Sequence, residues 1–361
     1  MSDSGDRWEV GSLFHLARFA PGQDRGRCPW QEHNGILLGS GRDALRLLLT
    51  SAACRRVWVP SYFCQEVVAA IASCPVTALV YPDSPLDSTR DLSALPVEAG
   101  DGILVMNYFG LRTSQALRLP ERADITIIED HTHDPCSPWA LGSTADYCVA
   151  SLRKLYPVPD GGVLWSPRGH SLPAPPALAP ELCRASLDKL AGMILKGYYL
   201  DGHPVPKERF RGLLARGETA LYGARISTIT ELSRDLLTAF PLAAWRAQRL
   251  AHFRRICDRF PAIAGVRLLK PTDPEQPPFV ALVVFDDPAS RDRVHRQLID
   301  QRIYASALWP LDNPVLAGIP TEHRALAGRL FTIPLDMRYN PTDIDLVAEI
   351  LAQTLQKTLD P

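Results

Sequence analysis

Net charge is almost absent from this sequence of 361 residues: 39 basic side chains stand against 40 acidic ones, a formal balance of -1. A chain so balanced has no global field with which to gather nucleic acid or an anionic membrane surface, so neither is expected as a partner. No apolar run approaches the roughly 20 residues needed to cross a bilayer. Met1 to Asp6 has no basic patch followed by an apolar core, so no secretory signal is read there and the expected location is the cytoplasm. Paired cysteine motifs are missing as well. The eight cysteines, at 28, 54, 64, 74, 136, 148, 183 and 257, include no Cys-x-x-Cys and read as reduced, mostly buried small hydrophobes. His131, His133 and Cys136 offer zinc-type donors within a short stretch, but no second cluster with ligand spacing accompanies them, and no metal is expected. Internal repeats and low-complexity tracts are also lacking.

What is present is an ordinary globular composition, 46% hydrophobic, in a chain long enough for about two domains. Apolar, β-prone segments at Val57 to Val59, Val76 to Tyr81, Ile103 to Asn107 and Ile125 to Glu129 alternate with helical or irregular spacers. That alternation predicts an α/β domain with a mostly parallel sheet between helices. Residues 1–30 show no clear period and predict an arm, or a short helix around Trp8 to Phe19. Five prolines from Ser166 to Pro180 predict a surface excursion or a lid. Helices are expected over Ala185 to Tyr199 and, as one long element, from Ile226 to Phe260. Strands near Phe279 to Phe285, Ile303 to Ala307 and Leu330 to Ile333, with helices near Ser290 to Gln301 and Pro341 to Leu355, predict a smaller α+β domain. The expected division is 1–240 for the arm and large domain and 241–361 for the small one.

The chemically able residues cluster at the ends of two of these strands. Ile127-Ile-Glu-Asp-His-Thr-His133 ends in Asp130 and His133; Ala145-Asp-Tyr-Cys-Val-Ala-Ser-Leu-Arg-Lys154 ends in Ser151 and Lys154, and a Gly161-Gly162 turn follows. Parallel-sheet enzymes deliver side chains to a cleft in this way. Upstream, Gly39-Ser-Gly41 precedes a helix beginning near Arg42, and the unpaired N–H groups of such a helix start can hold a phosphate.

Together these motifs resemble the fold-type-I pyridoxal-phosphate enzymes, and within them the DegT/DnrJ/EryC1/StrS aminotransferase-like family. The resemblance extends from Gly39 to Leu335 and rests on Glu129-Asp130-x-x-His133, Ser151-x-x-Lys154 and Gly161-Gly162 in that order. It implies the fold-type-I transferase fold, pyridoxal 5'-phosphate as cofactor, and a homodimer whose sites lie between subunits. It further implies that Lys154 carries the cofactor as an internal aldimine and acts as general base and acid. Asp130 would pair with the pyridinium nitrogen, His133 would sit over the ring, and Ser151 with the Ser40, Gly41 and Arg42 turn would hold the phosphate. Arg42 departs from the Thr usual there. Phe63 or Tyr62 would stack on the ring, with Cys64 standing where some relatives have the aromatic, and Asn107 or Tyr108 would line the cofactor edge. Arg225, in a segment lacking the usual Asn, would reach the phosphate of the neighbouring subunit. The implied reaction is transfer of an amino group from an amino-acid donor to a carbonyl acceptor, with nucleotide-linked keto-sugars the leading acceptor class. The same anchors would serve a lyase, decarboxylase or dehydratase, and a non-catalytic regulator or scaffold is the alternative of another class. Arg338 would clamp a substrate carboxylate or form a salt bridge.

Overall fold

A computed structural model describes residues 7–16, 27–51 and 54–359. Its centre is a seven-stranded sheet whose strands, taken in spatial order, are Ile36–Leu38, Gly162–Trp165, Tyr147–Ser151, Thr126–Asp130, Asp101–Met106, Arg56–Pro60 and Thr77–Tyr81. The last five run parallel, and Gly162–Trp165 is antiparallel to both its neighbours. Every residue of Asp101–Met106 is buried, as a strand covered by helices on both faces requires. Register aligns Met106 with Asp130 and Asp130 with Val149, which brings the functional strand ends to one edge. Alternation along Thr126–Asp130 sends Glu129 and Asp130 to opposite faces.

Two helices pack as a hairpin after the sheet, Pro180–Leu200 and Lys207–Gly223. Their close approach depends on Gly217, where a Cβ would lie 2.4 Å from the Lys189 side chain. The second of these helices was not legible as a separate element. Nor does the expected single helix over Ile226 to Phe260 exist: Glu231–Ala239 and Leu242–Arg259 are separated at Phe240 and Pro241. Pro241 lacks an amide hydrogen and its ring forces the preceding residue out of helical geometry; Phe240 accordingly has φ -71° and ψ 137°.

The C-terminal part builds a second layer. Val266–Leu268, Val280–Phe285 and Leu330–Pro334 form an antiparallel sheet, and helices Leu242–Arg259, Pro288–Asp300 and Pro341–Leu359 bury their apolar residues against it. The arm joins this part: Val10–Gly11 pairs in parallel with Ile303–Tyr304. No helix lies among the described residues 7–16, so the Trp8 end of the expected short helix is extended, and Ala17 to Phe19 lie outside the described residues. Residues 166–179 have no regular secondary structure, as the prolines imply. Among the described residues, no helix is long and apolar enough to cross a membrane.

Candidate active site

One pocket gathers Ser40, Gly41, Arg42, Phe63, Asp130, His133, Ser151 and Lys154. The Gly39 to Gly41 turn leads into helix Gly41–Ser51, with the Ser40 hydroxyl accepting from the Asp43 N–H at 3.1 Å. Two close approaches seat this turn against the lysine segment. A Cβ on Gly41 would stand 2.8 Å from Ser151 Cβ, and one on Gly162 only 2.1 Å from the Ser40 carbonyl carbon. Neither position has room for any residue but glycine, so the helix N-terminus and Ser151 share one concave wall. Arg42 lies over the Tyr222 ring at 3.6 Å and 3.7 Å from Glu66, adding a guanidinium to that wall. Lys154 follows strand Tyr147–Ser151 through a single 3-10 turn, Leu152–Lys154.

Asp130 is buried, and its carboxylate accepts from the Thr132 N–H at 2.8 Å and forms no ion pair among the described residues. Burial pushes its carboxyl up, against the pull of the Thr132 bonds. A carboxylate in such a place lacks a cationic partner, and a protonated ring nitrogen is a cation of the right kind. Thr132 also accepts from the Ser151 N–H at 3.0 Å, tying the two strand ends together.

His133 stacks between Phe109, at 4.9 Å, and Phe279, at 4.7 Å, with Trp309 at 5.7 Å. Its Nδ1 accepts from the Phe109 N–H at 2.9 Å, which puts the ring proton on Nε2. Phe109 reaches this geometry with φ 51°, a strained backbone of the kind found at functional sites. Burial, reinforced by Lys154, drives the imidazole down to about 3. The following residue, Asp134, is held by Arg249 at 3.0 Å and Arg246 at 3.0 Å, both from helix Leu242–Arg259.

Phe63 and Cys64 line the pocket, whereas Tyr62 lies outside it, its hydroxyl donating to the Leu308 carbonyl at 2.6 Å. Asn107 stands just behind: its Oδ1 accepts from the Arg112 N–H, and its buried Nδ2 has no partner among the described residues. Tyr108 is buried away from the pocket, its hydroxyl donating to the Tyr62 carbonyl. Arg225 is exposed and paired with Glu181 at 2.7 Å, outside the pocket of this chain. Arg338 is buried. Its guanidinium bonds Asp336 through two nitrogens and the carbonyls of Gly11, Ser12 and Leu13, which makes it a clamp on the arm.

Several residues in this region had no sequence signal. Trp309, from an irregular segment, lines both the pocket and the cleft outside it. Arg153 and Lys189 converge on one oxygen of Glu218, and the two cations hold that carboxyl down at about 2 although burial opposes them. Of the zinc-type donors, His133 serves the stack and Cys136 lies near Tyr156. A different trio, Glu129, His131 and Cys148, comes together on the opposite face of the strand. There Glu129 already accepts from His131, Trp139 and Ser143, so the trio reads as a hydrogen-bonded support behind Asp130.

No protein-family model and no curated protein matches the sequence. Among solved structures the chain is similar to the sugar aminotransferase CalS13 from Micromonospora echinospora, at 15% identity over 90% of this chain and 89% of that one, with a TM-score of 0.59. It is similar also to NtdA from Bacillus subtilis with bound cofactor PMP, at 14% identity over 89% and 73%, TM-score 0.59. A third is DesI in the presence of its TDP-sugar product, at 17% identity over 90% and 80%, TM-score 0.58. The chain therefore has the fold of these structures, the fold that its motifs imply.

Proposed function

We propose that this chain is a pyridoxal-phosphate-dependent aminotransferase of the DegT/DnrJ/EryC1/StrS kind, moving an amino group from an amino-acid donor to a carbonyl acceptor, with a nucleotide-linked keto-sugar as the acceptor class. The observation that carries the reading is the buried, cation-less Asp130 opening into the same pocket as Lys154 and the Gly41 helix start. Two neighbours in fold support it, NtdA through its bound PMP and DesI through its TDP-sugar product. The domains are taken as 1–240 and 241–361, and the location as the cytoplasm.

The residues fit the cofactor. Ser40, Gly41 and Arg42 offer backbone N–H groups and Ser151 a hydroxyl for a phosphate, and Arg42 adds a guanidinium. Asp130 would hold a ring N–H, Phe63 would lie against the ring, and His133 would border it from within its own aromatic stack. When bound, the cofactor supplies an electron sink for a carbon that loses a proton. Lys154 would anchor it and, once free, carry the proton between carbon centres. His133, with Nδ1 accepting from the Phe109 N–H, would have Nε2–H to offer a bound cofactor without adding charge. The phenylalanine and tryptophan rings around it exclude water.

Purified protein loaded with pyridoxal phosphate should absorb in the visible, and Lys154→Ala should abolish that band. Glutamate, glutamine or alanine should bleach it and a keto acid restore it. Release of carbon dioxide or ammonia without reversible bleaching would instead select the lyase, decarboxylase or dehydratase reading, and no response to any amine a regulatory role. A homodimer is the proposed unit, with Arg225 reaching the neighbouring site; a monomer in sedimentation with full cofactor occupancy would reject that arrangement.

A further inference from the structure

Strands Thr126–Asp130 and Tyr147–Ser151 part at the pocket, and one side chain spans the gap between them. Their last paired residues are Asp130 and Val149, and just beyond them the His131 N–H donates to the Val149 carbonyl at 2.8 Å. In a continued parallel ladder the Ser151 N–H would donate next to the His131 carbonyl. That carbonyl has turned away to accept from the Asp134 N–H at 3.1 Å, and the Ser151 N–H donates instead to the Thr132 hydroxyl oxygen at 3.0 Å. Thr132 therefore satisfies a donor that the opening of the pocket takes out of the ladder.

The same hydroxyl has one proton to give. Its oxygen already accepts from Ser151, and the acceptor within hydrogen-bond reach of its proton is the Asp130 carboxylate. The Thr132 N–H donates to Asp130 Oδ1 at 2.8 Å. Asp130 thus takes two donors from one residue, and both pull its carboxyl down against the burial that pushes it up. The Ser151 N–H, the Thr132 O–H and the Asp130 carboxylate form a row in which every donor points the same way, so each bond polarises the next. The two ends of the row face different parts of one pocket. Ser151 packs so closely on Gly41 that no Cβ fits between them, which places it at the helix start, and Asp130 stands at the opposite end.

Resting on the aminotransferase reading, we propose that Thr132 is a positioning residue whose hydroxyl locks the Asp130 carboxylate at a fixed reach from the wall formed by Ser151 and Gly41, so that the ring nitrogen and the phosphate of the cofactor are received together. Thr132 borders the pocket, yet its oxygen and its proton are both committed to protein groups, so it acts through Asp130. The turn in which Asp130 accepts from the N–H two residues on forms with any residue but proline at that place. The hydroxyl is therefore the part of Thr132 that the turn does not explain.

The test compares Thr132→Val, which removes the hydroxyl at nearly constant shape, with Thr132→Ser, which keeps it. Each protein is loaded with pyridoxal phosphate isotope-labelled at the ring nitrogen, and that nitrogen is followed by NMR near neutral pH. In the wild type and T132S its resonance should stand at the protonated position. In T132V it should move towards that of neutral pyridine, because a carboxylate that has lost a donor holds the shared proton more strongly itself. A T132V protein that unfolds earlier but keeps the wild-type resonance has lost only a structural hydroxyl, and overturns the proposal; so does a T132S resonance displaced as far as that of T132V. Should T132V not fold, T132A removes the same donor with less crowding and is read in the same way. A wild type without a visible band on loading counts against the aminotransferase reading instead. The row is then judged in cofactor-free protein carrying carbon-labelled aspartate, with D130N assigning the resonance. There the Asp130 carboxyl should titrate roughly one pH unit higher in T132V than in the wild type, and an unmoved titration overturns the proposal.

Discussion

Asp130 and His133 make opposite uses of burial. Asp130 is a carboxylate held ready for a cation, so Asp130→Asn should leave the pocket's shape intact while removing the charge that keeps a bound ring nitrogen protonated. Bleaching of the visible band by glutamate should then slow roughly 10²- to 10³-fold, measured by stopped-flow absorbance. His133 is driven down to about 3, so its ring resonances should not move between about pH 5 and 8 in an NMR titration. Because its affinity for protons is lowered by folding, the stability that it contributes is complete above about 6.5 and is lost only as pH falls towards 3. Both residues were legible because their motif is contiguous in sequence. Trp309, Lys189 and Glu218 were not: they reach the site from separate elements, and a tryptophan in a loop or a lysine on a helix reads first as packing or solvated surface.

At the scale of elements, the turn into helix Gly41–Ser51 carries a measurable cost. Asp43 is buried in the first turn, and burial pushes its carboxyl from 3.8 up to about 6, against the hydrogen bond from Ser40 and the charges of Arg46 and Arg42. The folded protein therefore binds this proton more tightly than the unfolded chain does. The associated stability is complete below about pH 4 and is lost as pH rises through 6. Asp43→Asn, which keeps the shape and removes the titration, should stabilise the protein by roughly 1–3 kcal/mol at pH 8 and change it little at pH 4, as read from urea denaturation. The parallel strands were legible because each is a short apolar run bounded by polar or breaker residues. The helix boundaries beyond Gly223 were read less well. Apolar residues such as Leu232, Leu236 and Leu242 continue past Pro241 with nearly helical spacing, and periodicity alone conceals a break that a single missing amide imposes.

Across the whole molecule, the cleft is closed by a contact between distant parts of the chain. Gly11 N–H donates to the Tyr339 hydroxyl at 2.8 Å, 328 positions away, and Arg338 holds the three carbonyls that follow from Gly11. Arg338→Met would leave Asp336 buried without its partner, so stability should fall by about 3–5 kcal/mol in chemical denaturation. The released arm should also become the first site of cleavage in limited proteolysis. The same contact sets an order on biosynthesis. The arm leaves the ribosome well before the strand, arginine and tyrosine that receive it, 328 positions separating Gly11 from Tyr339. At ~5–20 residues per second, the nascent arm waits roughly a quarter of a minute to a minute for Arg338 and Tyr339. The seven-stranded sheet can form in that interval, because its last strand ends at Trp165. A chain interrupted before Arg338 can therefore complete the sheet that bears Asp130 and Ser151 and hold Glu9, Ser12 and Leu13 on Lys196, yet it lacks the contacts of Arg338 and Tyr339 that fix the Gly11 end of the arm.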